Sequence, residues 1–276
     1  MYSQHLFHLE KNQNIMFLNY QSLSNDTDAI VAHVLDEETD LMTGKYGTDR
    51  FTITKFGRNT DVDKASPEDI WNGGSVYAGF PSSGNAETIT ITSSATTSDA
   101  AATVFISGLD ANWNIQTETV TLNASGVGVS ANTYRRMNRA YVVTPASGQT
   151  TNVGSLTGTH TTTTTNVFMV MPAGYGQTEI SAYTIPANYT GYLKVYRASM
   201  LDSTSNSGII AFWTRENGKA VRIQRPFAIS TSFPIETRLY SGIVFPEKTD
   251  IAVRVLSVTN DNADISSSFE LLLIKN

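Results

Sequence analysis

Apolar and hydroxyl-bearing residues alternate through much of this 276-residue chain. Ile89 and Ile91 are interleaved with Thr88, Thr90 and Thr92, the period-two pattern of a strand with one buried face and one hydroxyl face. Residues 104–106, 115–122 and 139–144 read as further strands. Runs rich in Gly, Ser, Thr and Asn separate them at 93–102, 123–132 and 147–165, and the Thr run at 161–165 reads as a loop or exposed strand. After residue 176 the pattern predicts eight strands, at 179–185, 190–201, 208–216, 220–229, 235–240, 243–245, 250–259 and 267–275. Turn residues divide them at Pro186-Ala187-Asn188, Asn217-Gly218 and Asn260-Asp261-Asn262. Asn217-Gly218 predicts a type I′ hairpin, in which both central residues take positive φ. Short strands at roughly ten-residue spacing, without helices between them, predict an all-β fold of antiparallel β-sandwich or jelly-roll domains. Ile251, Val253 and Val255 share one face and Arg254 takes the other, which predicts that at least one face of that strand is solvated.

The first eighty residues read as a mixed extension. Ile30, Val31, Val34 and Leu35 fit a short amphipathic helix within 26–42, and their β-branched content fits a strand as well. Ser66 as a cap, Pro67 at the first helical position, acidic Glu68 and Asp69 next and Gly73-Gly74 as a stop predict a helix of one or two turns anchored by Trp71. The expected organisation is therefore an N-terminal attachment region over 1–80, a Thr/Ser-rich β domain over 81–175 and a C-terminal jelly-roll-like sandwich over 176–276.

Charge supports that division. Residues 1–80 hold 12 acidic and 6 basic side chains and residues 81–276 hold 13 of each, so the whole net charge of −6 sits in the first part. Without a basic excess the counterion-release term of nucleic-acid binding has nothing to act on, and no nucleic-acid partner is expected. No apolar run approaches the ~18 residues of a membrane helix, and no basic-then-apolar leader opens the sequence. The expectation is a chain folded in a cytoplasm, without membrane insertion.

Candidate chemistry is sparse. The absence of cysteine excludes disulfides, thiolate metal sites and thiol nucleophiles. His5 and His8 read as part of a terminal arm, and His33 and His160 are scattered. The pairs Asp26/Asp28, Asp61/Asp63 and Asp261/Asp264 lack the loop of a calcium site and read as turn residues. Gly126/Gly128 and Gly174/Gly176 are bare pairs on turns where glycine supplies positive φ. No nucleophile elbow or phosphate-binding loop occurs, and only seven charged side chains fall between 81 and 170. No catalytic residue, metal or cofactor is expected. Aromatics are the remaining handle: Tyr175, Tyr183, Tyr189, Tyr192 and Tyr196 cluster around one turn in sequence, and Tyr175, Tyr189 and Tyr192 are candidates to meet a sugar or another subunit. Phe51, Phe56, Trp71, Tyr77 and Phe80 are candidates for a docking interface and equally for their own region's core.

Two stretches carry a resemblance. The first is Glu118-Thr-Val-Thr-Leu-Asn-Ala together with Thr133-Tyr-Arg-Arg-Met-Asn-Arg-Ala-Tyr-Val-Val and the turns at Gly148 and Gly154. The second runs from Gly176-Gln-Thr through Tyr183-Thr-Ile-Pro-Ala-Asn-Tyr-Thr-Gly-Tyr-Leu to Glu247-Lys-Thr-Asp-Ile and Asp264-Ile-Ser-Ser-Ser-Phe-Glu-Leu-Leu-Leu-Ile. Together they resemble virion structural proteins of tailed bacteriophages over about half the chain. The resemblance implies a decoration, neck, tail or fibre-associated component of the virion, without catalytic residues, whose partners are capsid or tail subunits. Closed rotational symmetry is the default for such assemblies, so a homo-oligomer, a trimer, is expected. The alternative is a host-surface, glycan-binding module of a tail fibre or spike.

Overall fold

The computed structural model describes residues 40–276 except 42, 65, 66, 82–84, 203 and 204, and describes 240–242 by their backbone only. The stretch 26–42, apart from Asp40 and Leu41, and Ser66, His5, His8, His33, Asp26 and Asp28 lie outside the described residues.

Sixteen strands follow one another in the described chain. β1 (Arg50–Val62) and β2 (Glu68–Asp69) come first. The middle of the chain supplies β3 (Glu87–Ser93), β4 (Thr103–Leu109), β5 (Ile115–Thr121), β6 (Val127–Tyr134), β7 (Arg136–Thr144), β8 (Leu156–His160) and β9 (Val167–Met171). The remainder supplies β10 (Ala182–Thr184), β11 (Tyr189–Met200), β12 (Ser207–Glu216), β13 (Arg222–Ser230), β14 (Ile235–Phe245), β15 (Thr249–Val258) and β16 (Ala263–Lys275). All the strand pairs are antiparallel, and the fold is all-β as expected.

Two sheets, β1-β16-β11-β14 and β10-β15-β12-β13, form one sandwich. Numbering β1 as its first strand and β10 to β16 as the second to eighth, the sheet orders are 1-8-3-6 and 2-7-4-5, the pairing pattern of an eight-stranded jelly roll. The alternation in β16 shows why it forms: Ala263, Ile265, Phe269, Leu271 and Leu273 all face inward and are fully buried. They meet Leu193 and Tyr196 of β11 and Phe212 of β12, with Tyr196 edge-on to Phe212 at 4.7 Å and Phe212 edge-on to Phe269 at 5.9 Å. Each such buried ring stabilises the fold by about 1.5–3 kcal/mol.

Between the first and second strands of the roll the chain builds a second sandwich, β6-β3-β8-β9 on β5-β4-β7. Its core of Ile89, Ile91, Val104, Ile106, Tyr134, Leu156 and Phe168 continues through Trp71, Tyr77 and Phe80 to Trp213 and Ala252 on the jelly roll. One apolar cluster thus spans the joint.

Several expectations change. The first strand of the roll is β1, from the stretch assigned to a separate attachment region, so the boundary at residue 80 does not follow the sheets. Residues 235–240 and 243–245 are a single strand, β14, whose register against β11 shifts between Leu193 and Val195, so the Ser241-Gly242 pair lies in a bulge rather than a turn. The Gly/Ser/Thr run at 123–132 contains most of β6, and that at 147–165 contains β8. In β8 the inward series is Leu156, Gly158 and His160, and a Cβ on Gly158 would stand 2.6 Å from Met169. A strand that needs a missing side chain hides its alternation. The run 161–165 is an exposed loop.

The helix expected after Ser66 is instead β2 and a tight turn. Arg254 and Val255 pair with Asp69 and Glu68, and Trp71 bridges to Ile180. Glu68 accepts hydrogen bonds from Asn59 Nδ2, the Asp63 N–H and the Ser75 N–H, so its carboxylate serves the chain around it rather than a helix dipole. The Asn217-Gly218 hairpin between β12 and β13 is present, but only Gly218 has positive φ, at 72°. The turns at 186–188 and 260–262 do not close hairpins, because β10 and β15 lie in one sheet while β11 and β16 lie in the other. They are corners, with Asn188 and Asn262 in the left-handed region. The outer face of β15, expected to be solvated, is covered: Ala252 is buried and Arg254 pairs with Asp69.

Candidate binding site: a groove shared by the two sandwiches

The charged residues nearest the joint are structural. The Asp250 carboxylate accepts from Arg136 (Nε 2.8 Å, Nη2 3.0 Å), from Arg215 Nη2 at 2.7 Å and from Thr184 Oγ1 at 2.8 Å. The Arg254 guanidinium donates two bonds to Asp69, at 2.7 and 2.8 Å. Burial pushes the Asp69 carboxyl up, against the pull of Arg254 and the Tyr77 N–H. Arg215 and Arg254 lie over the Trp213 ring, which stacks on Phe80 at 5.9 Å. Nearby, the buried Lys55 ammonium of β1 donates to the Asn138 carbonyl of β7. Burial, helped by Arg139, lowers it to about 7. Buried pairs of this kind hold two surfaces in one geometry, since parting them leaves charge without water.

These contacts decide the first set of sequence candidates. Trp71, Tyr77 and Phe80 are buried in the joint and belong to its apolar core. Phe51 packs on the jelly-roll core, edge-on to Tyr189 at 5.6 Å. Phe56 alone is half-exposed on the outer face and lines a hollow. Among the described residues the most exposed large apolar side chain is Phe233, 74% accessible at the β13–β14 turn, a position that its sequence does not mark.

The tyrosines do not gather in one place. Tyr183 and Tyr196 are buried, and burial pushes both phenols up. Tyr189 packs on Phe51 and donates to the Thr48 carbonyl at 2.8 Å. Tyr192 stands on β11 opposite Leu272 and Val244. Tyr175 is 41% exposed and belongs to another neighbourhood.

That neighbourhood is built by residues 176–178, which add to the edge of β7: the Val142 N–H donates to the Gly176 carbonyl at 2.8 Å and the Thr178 N–H to the Ala140 carbonyl at 2.9 Å. The register puts Thr119, Phe105, Tyr141 and Gln177 in one row across the outer face of the small sheet. Phe105 and Tyr141 stack at 4.8 Å. Arg139, two residues back on the same face, lies over the Tyr141 ring at 5.4 Å and donates to Gln177 Oε1 at 3.2 Å. Arg139, Tyr141, Tyr175 and Gln177 line a hollow of about 360 Å³.

Two residues further on, Glu179 lines a second hollow of about 510 Å³ on the outer face of the jelly roll. Its floor is two cross-strand rows, Phe56-Ser268-Arg197-Glu236 and Arg58-Ser266-Ser199. Arg58 forks onto Asp264 at 2.9 and 2.6 Å, and that pairing raises its basicity. Arg197 reaches Glu270 at 2.8 Å and Glu236 at 3.2 Å, with the same effect. The two hollows therefore adjoin along residues 177–179. Of this surface only Phe56 and Tyr175 were singled out from sequence.

The remaining candidates serve turns and ion pairs. Asp264 holds Arg58, Asp261 accepts from the Lys64 N–H at 2.9 Å, and the Asp61 N–H donates to Asn59 Oδ1. Buried His160 has Nε2 against the Tyr134 carbonyl at 2.8 Å and Nδ1 against Asn166 Nδ2 at 3.1 Å, a pair that places the proton on Nε2. Gly126, Gly174 and Gly176 have positive φ as expected, whereas Gly128 sits within β6.

Comparison with known proteins adds little to this geometry. No family model matches the chain, and no curated protein matches it. Among solved structures, the one titled "Structure of infectious bursal disease virus Gt strain" aligns over 82% of this chain and 73% of its own, at 9% identity and a TM-score of 0.21, a likeness too low to carry an argument about fold or function.

Proposed function

We propose that this protein is a non-enzymatic structural component of a tailed-bacteriophage particle, present in several copies and attached so that its two sandwiches project. The observation that carries this reading is the jelly roll with a second sandwich inserted between its first two strands and locked to it through the buried Arg136–Asp250 pair. Jelly rolls recur in viral coat and sugar-binding proteins, and the fold alone does not choose between such roles. The resemblance at 118–143 and 176–274 supplies the choice.

Charge supports an attachment role for the N-terminal residues. Residues 1–49 hold 8 acidic and 2 basic side chains, and residues 50–276 hold 17 of each, so the net −6 falls before the first strand of the roll. The rest is electrically balanced, which suits an inert projecting body, while the acidic segment suits a basic surface on a neighbouring virion protein. The edge at β13 is unsuited to strand-by-strand growth, since Pro226 removes a donor and Arg225 takes a positive φ of 47°.

Quantitative mass spectrometry of gradient-purified particles of the encoding virus tests the reading. The protein is expected at several copies per particle after high-salt washing; its absence from washed particles contradicts the proposal.

A further inference from the structure

We propose that the groove running from Tyr175 to Arg197 binds an oligosaccharide, with a carboxylate-bearing sugar seated between Arg139 and Tyr175. The inference rests on the groove alone and stands or falls apart from the virion reading.

Three observations carry it. The small sheet presents a row of rings with polar ends, Phe105 and Tyr141 beside Thr119 and Gln177, and Tyr175 stands exposed at its rim. Rings flanked by hydroxyl and amide groups match the C–H face and hydroxyl edge of a sugar. A protein partner favours a contiguous apolar centre instead, and here Thr119 and Gln177 flank the rings. Second, the arginines differ. Arg58 and Arg197 are each neutralised by carboxylates, whereas Arg139 forms no ion pair among the described residues and is held by Tyr141 and Gln177 with its fork at the hollow. A preoriented guanidinium without a counter-ion selects a carboxylate. Third, the hollow does not end there. Gln177 and Glu179 lie two residues apart on one side of an extended segment, about 7 Å along it, so a chain seated on Tyr175 runs on over Glu179 to Ser266, Ser268 and Glu236. Those hydroxyls and carboxylates suit neutral sugar hydroxyls rather than further negative charge.

Native electrophoresis of the full chain through gels containing alginate, polygalacturonate, dextran or double-stranded DNA tests the proposal. Retardation by at least one of the two polyuronates is expected, at least tenfold weaker in Arg139→Gln and in Tyr175→Ala. Val129→Ala, an exposed change on the opposite sheet, should bind as the parent does. Both groove residues are exposed, and thermal melting should confirm that the variants fold. Absence of retardation by both polyuronates overturns the inference, as does retention by dextran or DNA equal to that by the polyuronates. Self-association of the parent in sedimentation that the two groove variants abolish would also overturn it, making the surface a subunit contact.

Discussion

Single residues at the joint show where local reasoning stopped. Glu68 and Asp69 sit where acids commonly open a helix, yet both carboxylates are buried and taken by partners, one of them Arg254, 185 positions away. Propensity carries no information about such a partner. Asp250 is the sharper case: Asp250→Ala leaves buried Arg136 and partly buried Arg215 without a counter-charge, and should destabilise the protein by about 3–5 kcal/mol in urea unfolding. Lys55 makes stability depend on pH. The folded protein holds this proton only up to about 7, and the unfolded chain up to its ordinary 10.5. Between those values the unfolded state binds more protons, so stability rises with pH. The denaturation midpoint should therefore increase from pH 7 to pH 9, and Lys55→Met should flatten that slope.

At the scale of elements, alternation was enough where inward positions are large. β3, β4, β5, β7, β11, β12 and β15 were legible because Ile89, Ile106, Val120 and their like recur at period two. β8 was not, because Gly158 replaces an inward side chain to admit Met169. Gly158→Val should cost about 1–3 kcal/mol by overpacking, read as a fall in melting temperature. β1 was missed for a related reason: its inward series includes Lys55, Gly57 and Asn59, buried polar or small residues that face the inserted sandwich and residues 68–70 rather than an apolar core. By contrast Phe212 lies where both sheets of the roll meet, and Phe212→Ala should cost about 3–5 kcal/mol.

For the whole molecule, the class of fold was legible and its closure was not. Pairing of Phe51 with Leu273 brings together residues more than two hundred positions apart, around an inserted domain, and no local period records that. The groove shared by the sandwiches was invisible for the same reason: Arg139, Gln177, Arg58 and Arg197 come from four segments, and only Tyr175 and Phe56 were conspicuous as aromatics. Because one apolar cluster, the buried Arg136–Asp250 pair and the buried Lys55–Asn138 contact cross the joint, the sandwiches should unfold together, as one calorimetric transition; two resolved transitions would contradict a rigid joint. The central claim concerns where such a body works. A cryo-electron-microscopy map of the intact particle tests it most directly. The account predicts a symmetric set of projecting densities into which the jelly roll and its inserted sandwich fit as one rigid unit, attached by the N-terminal side. A complete map without density for this chain would contradict it.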